Sequence, residues 1–248
     1  MASEVDHDGT YPPLDVLKPV AEGVWIVDSG PVHVFGLTLP IRMTVLRLSS
    51  GDLWLHSPTR LTEALKAQLA QQGRITHLIA PDVAHWSFLH DWQRKCPDAL
   101  TWAAPGLRER KQVRKTGARI DQVLSDIPPP EWAGEMEQAT IRGFGFSEVD
   151  FFHRPSRTLI MTDLVQNLET QRLPVGTRIF ARLNGVAAPH GRAPIYLRLM
   201  VKVNKREAAR AAARLVEWHP ERVIFSHGRW FDRDGTTALK RSLAWLIR

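Results

Sequence analysis

The strongest constraint on the fold is an order of elements that the chain runs through twice: antiparallel strands first, then strands joined by helices. Met43 to Leu48 and Leu53 to His56 flank Ser-Ser-Gly-Asp and predict a β-hairpin. A helix should follow, with Ser57 as its N-cap and Pro58 at its first position. Leu61, Leu65 and Leu69 recur every four residues in it, and Gly73 closes it. Ile75 to Ala80 reads as a buried strand that Pro81 and Asp82 break. It should continue as an amphipathic helix with His85 in its first turn and Phe88, Leu89 and Trp92 on the same face. Ala99 to Ala104 is a further short strand, and a basic helix comes next.

The second half repeats the plan. A strand from Met136 to Arg142 precedes a hairpin of Val149–Phe152 and Thr158–Thr162. Asn204 with Glu207 has the form of a capping box that opens an alanine-rich helix through Trp218, which Pro220 stops. Val223 to Phe225 is a strand, and a last helix turns Leu239, Leu243 and Leu246 inward. Before the first hairpin, Gly23 to Val27 reads as a strand and Pro31 to Pro40 as irregular or a short hairpin. Gln171 to Pro194 reads as a loop-rich stretch that covers the site. Two halves of this kind predict an α/β (α+β) fold in which two sheets lie between layers of helices. Residues 1–22 are expected to form an N-terminal arm and residues 23–248 a single domain. A chain of 248 residues buries a sizeable core without disulfides, and one cysteine, Cys96, fits a reducing compartment.

Composition narrows the functional classes. Hydrophobic residues make up 44% and charged residues 24%, ordinary values for a globular chain. No apolar run approaches the ~18–20 residues that cross a bilayer. The acidic N-terminus lacks the apolar segment of a secretory signal. These features predict a cytoplasmic protein with no membrane partner. The net charge of +7 has its densest run from Arg108 to Arg119. That run has neither interleaved aromatics nor a nucleic-acid motif, so it reads as a solvated helix face and argues against a nucleic-acid partner.

Candidate chemistry lies where predicted strands end. His85 follows the strand Ile75–Ala80, Asp163 follows Leu159–Thr162, and His227 follows Val223–Phe225. Two imidazoles and a carboxylate at carboxyl edges form a ligand set for a divalent ion with open positions. His90 lies five residues past His85, about 140° around a helix, and points elsewhere. His56, His77 and His153 alternate with apolar strand residues and read as structural, and His190 as an exposed loop residue. No Gly-x-Gly-x-x-Gly, P-loop or Gly-x-Ser-x-Gly motif is present.

At these residues the sequence resembles the metallo-β-lactamase superfamily, specifically a divergent, uncharacterised family with an incomplete metal-binding motif. The resemblance spans about Gly23 to Leu246 and implies a four-layer αββα sandwich. The superfamily's His-x-His-x-Asp-His motif corresponds here to Ala80-Pro81-Asp82-Val83-Ala84-His85. Phe144 stands where a later histidine ligand is expected, Asp163 matches the bridging aspartate, and His227 matches the final histidine. The resemblance therefore implies that the first metal site is lost and the second is retained as His85, Asp163 and His227. Asp82 is then a fourth ligand or a catalytic base. The implied cofactor is one divalent metal ion, zinc or else iron or manganese, in a hydrolase-like protein acting on an unidentified small molecule. The competing expectation is a non-catalytic binding or scaffold protein that keeps the fold without metal, its two histidines hydrogen-bonded to Asp163. The sequence leaves the oligomeric state open.

Overall fold

Strands that are apolar at nearly every position need cover on both faces. Two sheets of such strands form the centre of the computed structural model, which describes residues 8–247. The first contains β1 (Lys18–Ala21), β2 (Val24–Val34), β3 (Leu37–Arg47), β4 (Leu53–His56), β5 (Ile75–Ala80), β6 (Leu100–Ala103) and β7 (Gln122–Val123), in that spatial order. Pairing is antiparallel from β1 to β4 and parallel from β4 to β7. The parallel connections hold helices α1 (Glu63–Ala70), α2 (Leu89–Lys95) and α3 (Lys111–Thr116). The second sheet has β8 (Met136–Gly143), β9 (Phe146–His153), β10 (Thr158–Ile160) and β11 (Arg222–Ile224), ordered β11-β10-β9-β8. Between β10 and β11 run α4 (Val175–Asn184), α5 (Ile195–Lys202) and α6 (Lys205–Glu217), and α7 (Gly235–Ile247) follows β11.

Three buried clusters correspond to the three interfaces of an αββα sandwich. Leu65, Leu69, Leu89, Trp92 and Val113 of the helices pack on Met43, Val45, Leu55 and Leu78 of the first sheet. Leu46, Trp54, Ile79 and Trp102 meet Val149, Phe151, Ile160 and Ile224 between the sheets. Leu197, Val201, Ala208, Leu215, Leu239 and Leu243 cover the outer face of the second sheet. Along β4, Leu53 and Leu55 face the helices while Trp54 faces the opposite sheet, the period-two alternation of a strand buried on both sides.

Several expectations change. Residues 18–21 of the proposed arm are an edge strand on β2, and its first seven residues lie outside the described part of the chain. Helix α1 begins at Thr62, whose side chain accepts the Leu65 N–H, so Ser57-Pro58 does not cap it. Helix α2 begins at Leu89, leaving His85 in the turns that precede it. Pro31–Pro40 belongs to a long hairpin, closed by Phe35-Gly36 with both residues at positive φ. The stretch 171–194 contains helix α4. Asn204 makes no side-chain cap, and the Glu207 side chain pairs with Arg142. In the basic run, Arg108, Arg110 and Arg119 donate to carbonyls of neighbouring loops.

This topology determines where the chemistry sits. β4 runs parallel to β5 and β10 runs parallel to β11, and residues just beyond all four, Ser57, His85, Asp163 and His227, line one cavity at an edge of the sandwich.

Candidate metal centre

Each functional side chain is set by a local device. Beyond β5, Asp82 is fully buried and its Oδ1 accepts the N–H groups of Ala84 (2.8 Å) and His85 (2.7 Å). This Asx-type turn carries the His85 ring back over the sheet edge. Beyond β4, Ser57 adopts φ +53° and places its Oγ 2.6 Å from His85 Nδ1. Beyond β10, Glu148 of β9 receives three consecutive N–H groups, from Thr162 at 2.7 Å and from Asp163 and Leu164 at 2.9 Å, and so fixes the turn holding Asp163. Beyond β11, His227 Nδ1 lies 2.7 Å from the Pro40 carbonyl, and Gln166 Nε2 donates to Asp163 Oδ1 at 3.0 Å.

These supports bring the three expected ligands together. His85 Nε2 is 3.2 Å from His227 Nε2, His227 Nε2 is 3.2 Å from Asp163 Oδ1, and His85 Nε2 is 3.6 Å from Asp163 Oδ2. One ligand atom from each of the three lies within 4.8 Å of the others, and the grouping includes no further acid or histidine among the described residues. Asp82, expected as a fourth ligand or base, lies beneath the turn. It does not line the cavity, and its Oδ2 is buried without a hydrogen-bond partner. Phe144 is exposed at the tip of the β8–β9 turn, away from the cavity, and Ala80 is packed beneath α2. His90 and His190 are exposed, while His56, His77 and His153 are buried.

The electrostatics follow from burial among carboxylates. Burial opposes the charge on His85, but Asp82 and Asp163 outweigh it and raise its pKa to about 9. Burial likewise opposes the charge on Asp163, yet His85 and His227 hold it well below the usual carboxylate range. Burial, with His85 and Asp163 nearby, places Asp82 at about 6. Glu148 is pushed upward by burial and by Asp150 and Asp82.

The sequence reading gave neither Ser57 nor Glu148 a role at the site: Ser57 was expected to cap a helix, and Glu148 was not singled out. Glu148 had a visible signal, since Glu148 and Asp150 are two acids in a strand, Phe146–His153, that is otherwise apolar enough to be buried throughout. Ser57 had none, because its partner lies 28 residues away on another strand end. The trio opens into a cavity of about 650 Å³ lined by apolar side chains including Val32, Leu39, Ile41, Phe88 and Phe180, with Tyr196 at its side. No lysine or arginine lines it.

Solved structures share this architecture. A metallo-β-lactamase from Hirschia baltica matches at 14% identity and TM-score 0.59, covering 93% of this chain and 96% of its own. The metallo-β-lactamase IND-7 matches at 13% identity and TM-score 0.60, covering 94% and 98%. FIM-1 from Pseudomonas aeruginosa, solved in a mono-zinc form, matches at 13% identity and TM-score 0.57, covering 90% and 92%. At such identities the likeness establishes the fold, which is the metallo-β-lactamase fold. No curated protein sequence matches the chain. A family profile described as a domain of unknown function (DUF4336) matches residues 21–179, and the chain belongs to that family.

Proposed function

We propose that His85, Asp163 and His227 hold one divalent metal ion and that the protein is a hydrolase-like enzyme working from that single site. The observation that carries the reading is the pair of facing Nε2 atoms. The Pro40 carbonyl can only accept, so His227 Nδ1 bears a proton, and Nε2 of the neutral ring presents a lone pair. That lone pair is directed at a second imidazole nitrogen and a carboxylate oxygen, both at 3.2 Å. Three donors converging in this way fit a cation between them. The His85–His227 and His227–Asp163 Oδ1 separations, both 3.2 Å, agree with edges of a tetrahedral site, while Asp163 turns its other oxygen, Oδ2, towards His85 at 3.6 Å. Ligands about 2.0–2.1 Å from a tetrahedrally bound ion stand roughly 3.3–3.4 Å apart.

A zinc, iron(II) or manganese ion bound there supplies Lewis acidity and an activated water for cleaving an ester, thioester, amide or phosphoester. The protein's own residues orient and exclude. Ser57 and the Pro40 carbonyl fix the ring orientations from behind, as outer partners of histidine ligands do. Gln166 steadies Asp163. Asp82, which does not reach the cavity, acts as a positioning residue for His85. The apolar lining, without a cation, suits an uncharged apolar group on the substrate better than an anionic one.

A second reading has one observation in its favour. With its pKa raised to about 9 by Asp82 and Asp163 against the effect of burial, His85 is an imidazolium at neutral pH. Its Nε2–H can then bridge His227 and Asp163 without metal. Metal analysis separates the two. Protein purified without chelator and offered zinc, iron(II) or manganese should bind about one equivalent, and Asp163→Ala or His227→Ala should bind under about a tenth. A wild-type protein that also stays under a tenth leaves the polar cluster as the answer.

A further inference from the structure

Besides the short basic run Arg108–Arg119, the chain has a longer segment rich in positive charge. Residues 170–206 carry eight lysines and arginines and no acid, against +7 for the whole chain, so the remaining residues are together net −1. This segment comprises α4, α5 and the start of α6. Only Arg172 among these eight forms an ion pair within the described residues, with Glu169. Arg182, Arg192, Lys202, Lys205 and Arg206 are exposed.

The same helices carry exposed apolar lines. Val175, Ile179 and Leu183 lie four residues apart on α4, and Ile195, Leu199 and Val203 do so along α5; all six are exposed. Four-residue steps put each set on one helix face. Both helices already bury a different face, with Thr177 and Ala181 on α4 and Leu197 and Val201 on α5. An amphipathic surface helix normally hides its apolar stripe and solvates the rest. These two are apolar on a second, solvent-facing side. They adjoin one another, since Arg198 Nη2 donates to the Asn184 carbonyl at 3.3 Å, and Phe180 of α4 and Tyr196 of α5 line the same cavity. Phe35 lies on that rim too, fully exposed at the hairpin tip and held at φ +49°, a conformation an aromatic side chain rarely adopts.

We propose that the outer faces of α4 and α5, with the Phe35 tip, dock on the surface of an anionic lipid bilayer, and that the site cavity opens at the edge of this face. Aliphatic side chains flanked by arginine and lysine are the pattern of helices that lie in a membrane interface, where chain length is not the discriminator. Each cation near an anionic leaflet strengthens attachment roughly fivefold. No helix among the described residues is long and apolar enough to cross a membrane, which concerns spanning and not lying upon. A second copy is a poorer occupant, because a two-fold interface would set this acid-free cationic face against itself. Nucleic acid would match the charge but leave six aliphatic side chains against phosphate, with only Phe35 and Tyr196 as exposed aromatics on this face to stack bases.

The test is flotation of the full-length protein with vesicles of phosphatidylcholine alone, or of phosphatidylcholine with about one third phosphatidylglycerol, each with and without chelator. At least about tenfold more protein should float with the anionic vesicles, and ~0.5 M salt should remove most of it. Leu183→Asp combined with Leu199→Asp, both at exposed positions, should lower flotation about tenfold or more without changing the thermal melt. Arg182→Glu with Lys202→Glu should do so on the anionic vesicles only. Equal retention by both vesicle types overturns the proposal, and so does retention by neither. A stable dimer that Leu183→Asp/Leu199→Asp converts to monomer also overturns it, by assigning the face to a second copy.

Discussion

Glu148 shows how a single side chain can hold a site it does not belong to. Its two oxygens take the N–H groups of Thr162, Asp163 and Leu164 from a turn in which those groups have no other partner in reach of the sheet. A buried N–H left without a partner costs about 1–3 kcal/mol. Glu148→Ala should therefore lower unfolding free energy by roughly 3 kcal/mol or more, measured by urea denaturation. It should also release Asp163 and abolish metal uptake. A stable variant with full uptake would contradict this role. Ser57 acts on His85: Ser57→Ala leaves His85 Nδ1 without its partner. Loss of such an outer contact should weaken metal affinity about 10–100-fold by competition titration. The placement of His85, Asp163 and His227 at one sheet edge was legible in the sequence, because a residue at the end of a buried strand is placed by the strand. Their supports were not, since those bonds join residues far apart in the chain through contacts that have no periodicity.

At the scale of elements, the strands were read well and the helices around the site less so. Ile75–Ala80 is a strand at its expected limits, because a continuous β-branched and aliphatic run ended by Pro-Asp has few other solutions. Helix α2 starts later than its apolar spacing implies: the Asp82 turn leads into further turns through Phe88, and regular helix begins only at Leu89. Helix α4 went unread although Val175, Ile179 and Leu183 recur every four residues, and the structure turns that aliphatic line outward while Thr177 and Ala181 face the core. Gly185, at φ +71°, was the signal for its end. The β11 exit is the element on which His227 depends most closely. Gly228 has φ +90°, and a Cβ there would lie 2.2 Å from the Asn167 carbonyl oxygen, while its own carbonyl accepts from Arg42 at 2.8 Å. Gly228→Ala must push two loops apart next to His227. It should cost about 2 kcal/mol or more, seen as a lowered melting temperature, with metal uptake reduced in parallel. A melt identical to wild type would show that the loops separate freely.

Across the whole molecule, the space between the sheets is mainly apolar, and it also holds titratable groups that must stay neutral. His56 is buried against Trp54 and Phe151, with ring centroids at 5.6 and 5.7 Å, and its Nε2 has no hydrogen-bond partner. Burial, with the His85 charge nearby, lowers its pKa from 6.5 to about 3. His77, packed against Trp132, and His153 are lowered as well, in each case mainly by burial. A histidine whose folded pKa lies below its unfolded one binds its proton more readily in the unfolded chain. Its contribution to stability is complete above about pH 6.5 and declines as the pH falls towards the folded value. For His56 that window runs from the unfolded value near 6.5 down to about 3. Within it, one such group gives a slope of up to about 1.4 kcal/mol per pH unit. His56→Phe keeps the ring between Trp54 and Phe151 and removes the titration. Urea unfolding of wild type and variant between about pH 6 and pH 4 should then differ in slope by nearly one proton, whatever the variant's absolute stability. Parallel slopes would mean that His56 takes up its proton in the folded protein, and that the layer between the sheets admits water to reach it.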